Sequence, residues 1–274
     1  MHQGSSFEDK KKGACGDGSH CGIEKLRQND NSRIRNVIAV MSGKGGVGKS
    51  SVTSIIACDL RNKGYRVGVL DADITGPSIP RMFGAGGLAD SNGLVIFPHV
   101  SSTGIKIMSL NFLMPNEDDP VIWRGPVISG AVKQFWTDVA WGDLDYLVVD
   151  LPPGTGDVPL TVMQSLPLNG LIVVTSPQDL ANLIVKKAVK MAIQMSVPIL
   201  GLIENMSTAF CPHCGKEMKL FGRGKGEEMA KSFGIPFIGS IPLDPELSRL
   251  CDEGRIEKYR SSLLINIDPM DLPQ

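Results

Sequence analysis

The amino-acid sequence predicts an α/β fold with a doubly wound, mostly parallel sheet. Short apolar runs recur along the chain, and segments with helical periodicity separate them. Several of the runs are nearly continuous in Val, Ile and Leu, which is typical of strands that are buried on both faces of a parallel sheet. Strands that alternate with helices at this spacing indicate right-handed crossover connections.

The apolar runs predict seven strands. In chain order they are Val37–Met41, Arg66–Leu70, Ile105–Leu110, Tyr146–Asp150, Leu171–Thr175, Ile199–Ile203 and Phe237–Ile241. Helices are expected at Ser51–Lys63, Asp179–Met195 and Pro245–Gly254, and in the second of these the apolar residues recur at steps of three and four. We therefore expect one domain over residues 34–265, a flexible N-terminal arm over residues 1–33 and a frayed tail over residues 266–274.

Composition excludes several classes of protein. The chain has 274 residues with 28 Lys and Arg against 29 Asp and Glu, a net charge of −1, which argues against binding of nucleic acid through bulk positive charge. No apolar run approaches the roughly 20 residues of a membrane span, and the N-terminus lacks the apolar core of a signal peptide. The expected location is the cytoplasm, with neither a membrane nor a nucleic acid as partner. Thirty-one glycines and six cysteines stand out.

A phosphate-binding loop follows the first predicted strand. Residues 43–50 match G-x-x-x-x-G-K-[ST], and the helical stretch that follows completes the strand–loop–helix context of a P-loop. The glycines let successive backbone N–H groups wrap the phosphates, and the helix N-terminus adds partial positive charge. Lys49 is expected to reach the β- and γ-phosphates, and Ser50 to bind Mg²⁺.

Acidic residues end two other strands. Asp150 follows Leu147-Val148-Val149 and is a candidate to hold Mg²⁺ through water beside the γ-phosphate. Asp71 and Asp73 end the Arg66–Leu70 strand; Asp73 is the better candidate to position the attacking water, and Asp71 to support Mg²⁺. The turn from Pro152 to Asp157 occupies the place of a γ-phosphate sensor.

Two cysteines at C-x-x-C spacing, Cys211 and Cys214, are expected in a loop (about residues 208–222) after the Ile199–Ile203 strand. Such a pair supplies two thiolates where a zinc or iron–sulfur site generally needs four, so distant cysteines or a second copy of the chain must supply the others. An iron–sulfur cluster is the favoured occupant and zinc the weaker alternative. A redox dithiol lacks the thioredoxin-like context here.

The remaining cysteines carry less information. Cys58 falls inside the helix after the P-loop and is expected in the core, and Cys251 is assigned to the core by default. For Cys15 and Cys21, with His20 adjacent, the sequence does not decide between a metal site and two cysteines on a flexible arm.

The loop Gly43 to Ser50, with its additional Lys44, resembles the deviant Walker A loop of the MinD/ParA class of P-loop ATPases. Further blocks narrow the resemblance to the Mrp/ApbC family of ATP-dependent iron–sulfur scaffold and carrier proteins. These blocks are Asp71 through Pro80, Trp123-Arg124-Gly125-Pro126, Asp145 through Asp157, and Glu204-Asn205-Met206-Ser207 before the cysteine pair.

The resemblance implies a homodimer that hydrolyses ATP slowly and delivers a [4Fe–4S] cluster to apo-proteins. The cluster would bind Cys211 and Cys214 of each subunit, and Lys44 would reach the nucleotide of the facing subunit. Asn205 matches the base-recognising Asn of the class, and Pro242 and Asp244 match the segment that lines the adenine pocket. The nucleotide-binding residues are then Gly43, Lys44, Gly45, Gly46, Val47, Gly48, Lys49, Ser50, Ser51, Asp71, Asp73, Asn205, Pro242 and Asp244, with Lys44, Lys49, Asp73 and Asp150 catalytic.

Two other functions compete with this interpretation. A MinD/ParA-type positioning ATPase would need a basic amphipathic C-terminal helix or a basic surface patch, and residues 262–269 have no basic face. An ATP-gated binding module with a zinc knuckle would use the same cysteine pair without any carrier role.

Overall fold

A computed structural model describes residues 25–73, 76–114, 125–177, 181–222 and 224–261. Within these ranges the strands form one sheet. They are β1 (Ser32–Ser42), β2 (Val67–Asp71), β3 (His99–Val100), β4 (Lys106–Ser109), β5 (Gly142–Asp150), β6 (Gly170–Thr175), β7 (Ile199–Phe210), β8 (Glu217–Met218) and β9 (Phe237–Leu243).

The sheet is mostly parallel, as the sequence predicts. Its order is β3-β4-β2-β5-β1-β6-β7-β8, with β9 also paired to β7. The pairs β1–β5, β1–β6, β2–β4, β2–β5, β6–β7 and β7–β9 are parallel. β3 and β8 pair antiparallel at the margins. These two strands were not predicted, because two residues are too few to show a periodic pattern.

Helices connect the parallel strands. They are α1 (Lys49–Asn62), α2 (Ile79–Met82), α3 (Gly125–Thr137), α4 (Asp157–Ser165), α5 (Ala181–Gln194), α6 (Gly226–Phe233) and α7 (Pro245–Asp252). Short 3₁₀ turns occupy Leu110–Leu113 and Ile256–Lys258. Among the described residues, none of the helices combines the length and the apolarity that crossing a membrane requires.

The core lies along the central strands. Ile38, Ala39, Val40 and Met41 of β1 are all fully buried, as are Leu147, Val148 and Val149 of β5. Burial of consecutive residues means that both faces of these strands are covered, which is why their sequence is continuously apolar rather than alternating.

The N-terminal boundary differs from the expected one. Residues 25–31 are attached to the domain: Leu26 donates its N–H to Ser165 O at 2.9 Å, and Trp136 Nε1 donates to Leu26 O at 2.9 Å. β1 begins at Ser32, so the boundary expected at residue 33 lies too far along the chain. Residues 1–24, with Cys15 and Cys21, and the tail 266–274 lie outside the described residues.

Strand β7 is longer than predicted and irregular. It was expected to end at Ile203 but continues to Phe210. Its pairing with β9 shifts between Asn205 and Ala209, and Met206 adopts a left-handed backbone with φ of 57°. Polar residues interrupt the apolar pattern after Ile203, and for that reason the end of the strand was predicted too early. Cys211 therefore follows the strand directly instead of lying in a long loop.

Two glycines bring α2 and α7 into backbone contact. Gly254, just after α7, has φ of +67°, and a Cβ built on it would lie 2.7 Å from Gly84 Cα and 3.1 Å from Arg81 O. Gly84 follows α2. A side chain at residue 254 would meet backbone that cannot move aside cheaply.

We predict that Gly254→Ala destabilises the protein by about 2–4 kcal/mol, because the left-handed backbone and the close contact both penalise a Cβ. Gly234→Ala is the matched control: Gly234 also follows a helix with φ of +66°, but its Cβ would lie in open space. The control should cost only about 1 kcal/mol. Urea unfolding of both variants measures the difference, and equal losses would contradict the predicted backbone contact.

Candidate functional site

The loop between β1 and α1 has the geometry of a P-loop. Residues 43–48 leave the carboxyl end of β1, and α1 begins at Lys49. Gly48 has φ of +74°, and a Cβ there would run into the Asn205 amide. Gly48 is therefore required both by backbone conformation and by the close approach of Asn205, whose Nδ2 donates to Val47 O at 2.9 Å.

Asp150, at the end of β5, is fully buried and accepts hydrogen bonds from three side chains of α1. Its Oδ2 accepts from Lys49 Nζ at 2.7 Å and from Ser50 Oγ at 2.6 Å. Its Oδ1 accepts from Thr53 Oγ1 at 2.7 Å. A buried carboxylate is stable only with such partners, so Asp150 fastens the first turn of α1 to the sheet.

Asp71 lies beside Asp150, because the two residues are paired in the β2–β5 register. Burial, together with the Asp150 charge, holds the pKa of the Asp71 carboxyl well above its usual range. The Asp71 oxygens accept from the backbone N–H groups of Asp73 at 3.1 Å and Ile79 at 3.3 Å. Asp71 thus holds the backbone of the segment that carries Asp73. It also lies next to Asp150, a predicted Mg²⁺ ligand.

Asp73 and Lys49 border the phosphate cavity. Lys49 Nζ lies 3.5 Å from Asp73 Oδ2, and both side chains are buried. The cavity has a volume of about 250 Å³; its lining includes Gly45, Gly46, Gly48, Lys49, Ser50, Ser51, Asp73, Gly76, Ser78, Met82 and Pro153. The turn at residues 152–157 is bonded to the end of β1, where Gly154 donates its N–H to Ser42 O at 2.8 Å, and its Pro153 lines the cavity together with the loop. Lys44 is half-buried.

A second cavity, of about 180 Å³, adjoins the first through Ser51, which lines both. Its wall includes Asn205, Pro242 and Asp244, the three residues expected to surround the base. Met206, Leu243, Leu247, Ser248, Cys251 and Asp252 complete it. The structure therefore brings the three expected residues together next to the phosphate cavity. An apolar space with a few convergent polar groups suits a heterocyclic base.

Asp244 does more than line this cavity. Its Oδ1 accepts from Glu246 N at 2.9 Å and so caps the N-terminus of α7, and its Oδ2 accepts from the Tyr259 hydroxyl at 3.0 Å. Burial and the bond to Asp244 raise the pKa of Tyr259 to about 12. Tyr259 thereby ties the segment after α7 to the cavity wall.

Two cysteines differ in their surroundings. Cys58 is buried in α1 as expected, and burial raises the pKa of its thiol to about 12. Cys251, assigned to the core from the sequence, instead lies half-buried in the wall of the second cavity. Burial raises the pKa of Cys251 as well.

The Cys211–Cys214 pair forms the tip of a hairpin that β7 and β8 build. Gly215 N donates to Cys211 O at 2.8 Å, and Cys211 N donates to Lys216 O at 2.9 Å, which closes the turn. The backbone N–H groups of His213 and Cys214, together with the Cys214 thiol, lower the pKa of Cys211. Cys214 and His213 are exposed. The two thiols thus face each other at the surface, one of them favoured as a thiolate.

Within the described residues, no group of three or more His, Cys, Asp or Glu side chains could hold a metal ion. The cysteine pair therefore has no third ligand in the described part of its own chain. Phe210, Leu220 and Phe221, which flank the pair, are exposed by 57%, 56% and 41%.

The profile of the family described as ParA, the NUBPL iron-transfer P-loop NTPases, matches residues 33–266. This chain belongs to that family. The iron–sulfur cluster carrier protein of Methanocaldococcus jannaschii is 51% identical over 232 residues, which cover 84% of this chain and 80% of the relative. The cytosolic Fe–S cluster assembly factor NUBP2 of Bos taurus is 45% identical, with 81% and 84% covered.

Solved structures agree with the sequence comparison. A nucleotide-binding protein from Archaeoglobus fulgidus, in complex with ADP, has a TM-score of 0.74 and 47% identity over 83% of this chain and 89% of its own. A chain of the MinC:MinD cell division protein complex of Aquifex aeolicus has a TM-score of 0.55 and 18% identity, with 80% of this chain and 86% of that chain covered, which shows a shared fold. The expected MinD/ParA-like fold and the resemblance to iron–sulfur carriers are confirmed.

Sequence reasoning missed two residues of the candidate nucleotide site. Thr53 lies four residues after Lys49, so the two share a face of α1, but the pattern alone does not show that this face meets Asp150. Tyr259 has no sequence signal, because its bond to Asp244 depends on how the chain folds back after α7.

We predict that Thr53→Val lowers the free energy of unfolding by about 2 kcal/mol, because Asp150 Oδ1 loses a charge-assisted donor in a buried site. Ser54→Ala is the control: Ser54 is the next buried hydroxyl of α1 and contacts the Met82 sulfur at 3.6 Å. Urea unfolding measures both changes. A loss for Thr53→Val no larger than for Ser54→Ala would disprove the role assigned to Thr53.

Tyr259→Phe is predicted to give a pH-dependent loss of stability. The folded pKa of about 12 lies above the unfolded value of about 10, so the bond to Asp244 contributes fully below pH 10 and is lost as the pH rises toward 12. The difference in unfolding free energy between wild type and variant should be constant up to about pH 10 and shrink above it. Unfolding curves at successive pH values test this, and a constant difference at all pH values would refute it.

Proposed function

We propose that the protein is an ATP-hydrolysing carrier that binds a [4Fe–4S] cluster between two copies of the chain and transfers it to apo-proteins. The observation that carries the proposal is the placement of the cysteine pair. Cys211 and Cys214 lie at the exposed end of β7, the strand whose Asn205 contacts the P-loop. The names of the iron–sulfur carrier relatives support the same role.

The nucleotide site suits ATP with Mg²⁺. The two adjoining cavities would take the phosphates and the base, with the N–H groups of residues 43–48 around the phosphates. The hydroxyl of Ser50 and the carboxylate of Asp150 are hard oxygen donors of the kind that Mg²⁺ prefers, and Asp71 is next to them. When bound, Mg²⁺ would neutralise charge on the phosphate oxygens.

Hydrolysis transfers the γ-phosphoryl group to water and yields ADP and phosphate. Asp73 is placed to orient the water, because its carboxylate borders the phosphate cavity next to Lys49. Lys49 would stabilise negative charge on the transferred group, and Lys44 would do so for the nucleotide of the facing subunit. The turn at residues 152–157 is bonded to Ser42, the residue before the P-loop, and would respond to the γ-phosphate.

The cluster is the cargo and requires four thiolates. Within the described residues, one chain offers only the pair Cys211 and Cys214 at this place. A two-fold axis beside the hairpin would bring two pairs together. In such a dimer the second copy would cover the exposed Phe210, Leu220 and Phe221, which flank the pair in the sequence, and this would remove apolar surface from water. The lowered pKa of Cys211 favours the thiolate that binds iron. We place this homodimer in the cytoplasm.

Anaerobic reconstitution with iron and sulfide tests the cluster site. Wild type should gain iron–sulfur absorbance and elute as a dimer, whereas Cys211→Ala/Cys214→Ala should lose both the absorbance and the cluster-dependent dimer. Cys15→Ala/Cys21→Ala is the matched control and should behave as wild type. A cluster that survives in the first double variant would move the site elsewhere, and zinc without iron in anaerobically purified protein would favour the zinc knuckle.

The same samples test the dependence on nucleotide. Transfer of the cluster to an apo iron–sulfur protein should proceed at different rates with ATP, with ADP and without nucleotide. Equal transfer rates under all three conditions would show that cluster transfer does not depend on the nucleotide.

A further inference from the structure

Two adjacent residues of β7 connect the nucleotide loop to the cysteine hairpin. Asn205 is 3% exposed and donates its amide to Val47 O of the P-loop. Glu204 is 4% exposed, and its Oε1 accepts the backbone N–H groups of Lys225 at 3.0 Å and Gly226 at 2.8 Å. Gly226 is the first residue of α6, so Glu204 holds the point at which the chain returns from the hairpin.

The outgoing end of the hairpin is tied to the same place. The β7–β9 ladder shifts register between Leu202 and Ile203 and is regular from there to the pair Asn205–Ile241. It shifts again across the left-handed Met206 and resumes at Ala209–Leu243. Ser207 Oγ donates to Ile241 O at 3.2 Å across the shift. Ala209 and Phe210 then pair with β8, and Cys211 follows. The outgoing end of the segment that carries the cysteine pair is therefore anchored through Ser207 and Ala209. The returning end is anchored to Glu204, the neighbour of Asn205 in β7.

The returning end leaves little room for Glu204 to move alone. A Cβ on Gly224 would run into Glu204 Oε2, and one on Gly226 would lie 2.8 Å from Glu204 Cβ. Two glycines thus allow the backbone of residues 224–226 to close around this one carboxylate. A displacement of β7 at Glu204 must be followed by residues 224–226, because the buried carboxylate and its two donors would otherwise lose their bonds.

We propose, on the basis of the function proposed above, that Glu204 is a positioning residue for Cys211 and Cys214. A nucleotide base in the second cavity meets Asn205, whose amide is engaged with Val47. A change in that contact shifts β7, and Glu204 passes the shift to the returning end of the hairpin while Met206 and Ser207 pass it to the outgoing end. The separation and exposure of the two thiols then differ between the nucleotide-bound and nucleotide-free states, which couples the two sites.

Thiol reactivity in the cluster-free full-length chain tests this without requiring that a cluster form. Cys211 and Cys214 are alkylated anaerobically with iodoacetamide, with and without saturating Mg-ADP, and each cysteine is followed by peptide mass spectrometry. In wild type, Mg-ADP should change the alkylation rate by about fivefold or more, as expected for a coupled pair of sites. Glu204→Ala should bind Mg-ADP within about twofold of wild type but lose this dependence.

Glu204→Gln should recover most of the dependence, because the amide oxygen still accepts from residues 225 and 226. A merely structural role would not separate these two variants in their response to nucleotide. Glu217→Ala is the matched control: Glu217 is an exposed carboxylate on the same hairpin, and its removal should leave the wild-type response. An unchanged response in Glu204→Ala, or no response in wild type that binds Mg-ADP, would overturn the proposal.

Hydrogen exchange in the wild type gives a measurement that no folding defect can obscure. Mg-ADP should change the exchange of the amides of Lys225 and Gly226 together with those of the P-loop. Exchange that changes at residues 43–50 but not at residues 224–226 would also overturn the proposal. Failure to bind ADP at all would instead refute the proposed function, so the two failures are distinguishable.

Discussion

The nucleotide site depends on the hydrogen bonds that the buried carboxylate of Asp150 accepts. Burying an unpartnered charge costs several kcal/mol, about 3–5 when one partner of a buried ion pair is removed. Asp150 is fully buried at the end of β5 and finds its partners in Lys49, Ser50 and Thr53. These lie within the first five residues of α1, so one carboxylate determines where α1 begins relative to the sheet. The P-loop must then span the remaining gap.

Parallel strands in register bring the other acidic residues to the same place. Asp71 is paired with Asp150 across β2 and β5, and Asp73 follows two residues later. The Lys49 ammonium lies close to the carboxylates of both Asp150 and Asp73, which offsets part of their mutual repulsion. A site with this much concentrated charge is suited to bind a cation and a polyphosphate together, because both kinds of ligand find partners of opposite charge.

Strand β7 serves two sites because it continues to Phe210, well past Glu204, the last of its residues that pairs with β6. Its first half belongs to the core, Asn205 contacts the P-loop, and its last residues support the Cys211–Cys214 hairpin. The left-handed Met206 lies between the last two. The hydrogen bond from Ser207 Oγ to Ile241 O holds β7 to β9 across this irregularity, so a contact at Asn205 can affect the position of the hairpin.

The sequence by itself determined the local features of this protein. Continuous apolar runs predicted seven strands, glycine and lysine spacing predicted the P-loop, and the C-x-x-C spacing predicted a thiolate pair, because each depends on residues close together in the chain. Only the tertiary structure decided that Thr53 reaches Asp150 across 97 residues, that Glu204 holds residues 225 and 226, and that Cys251 lines a cavity. These contacts join residues distant in sequence, and their formation depends on strand register and helix placement, which packing of the whole core determines.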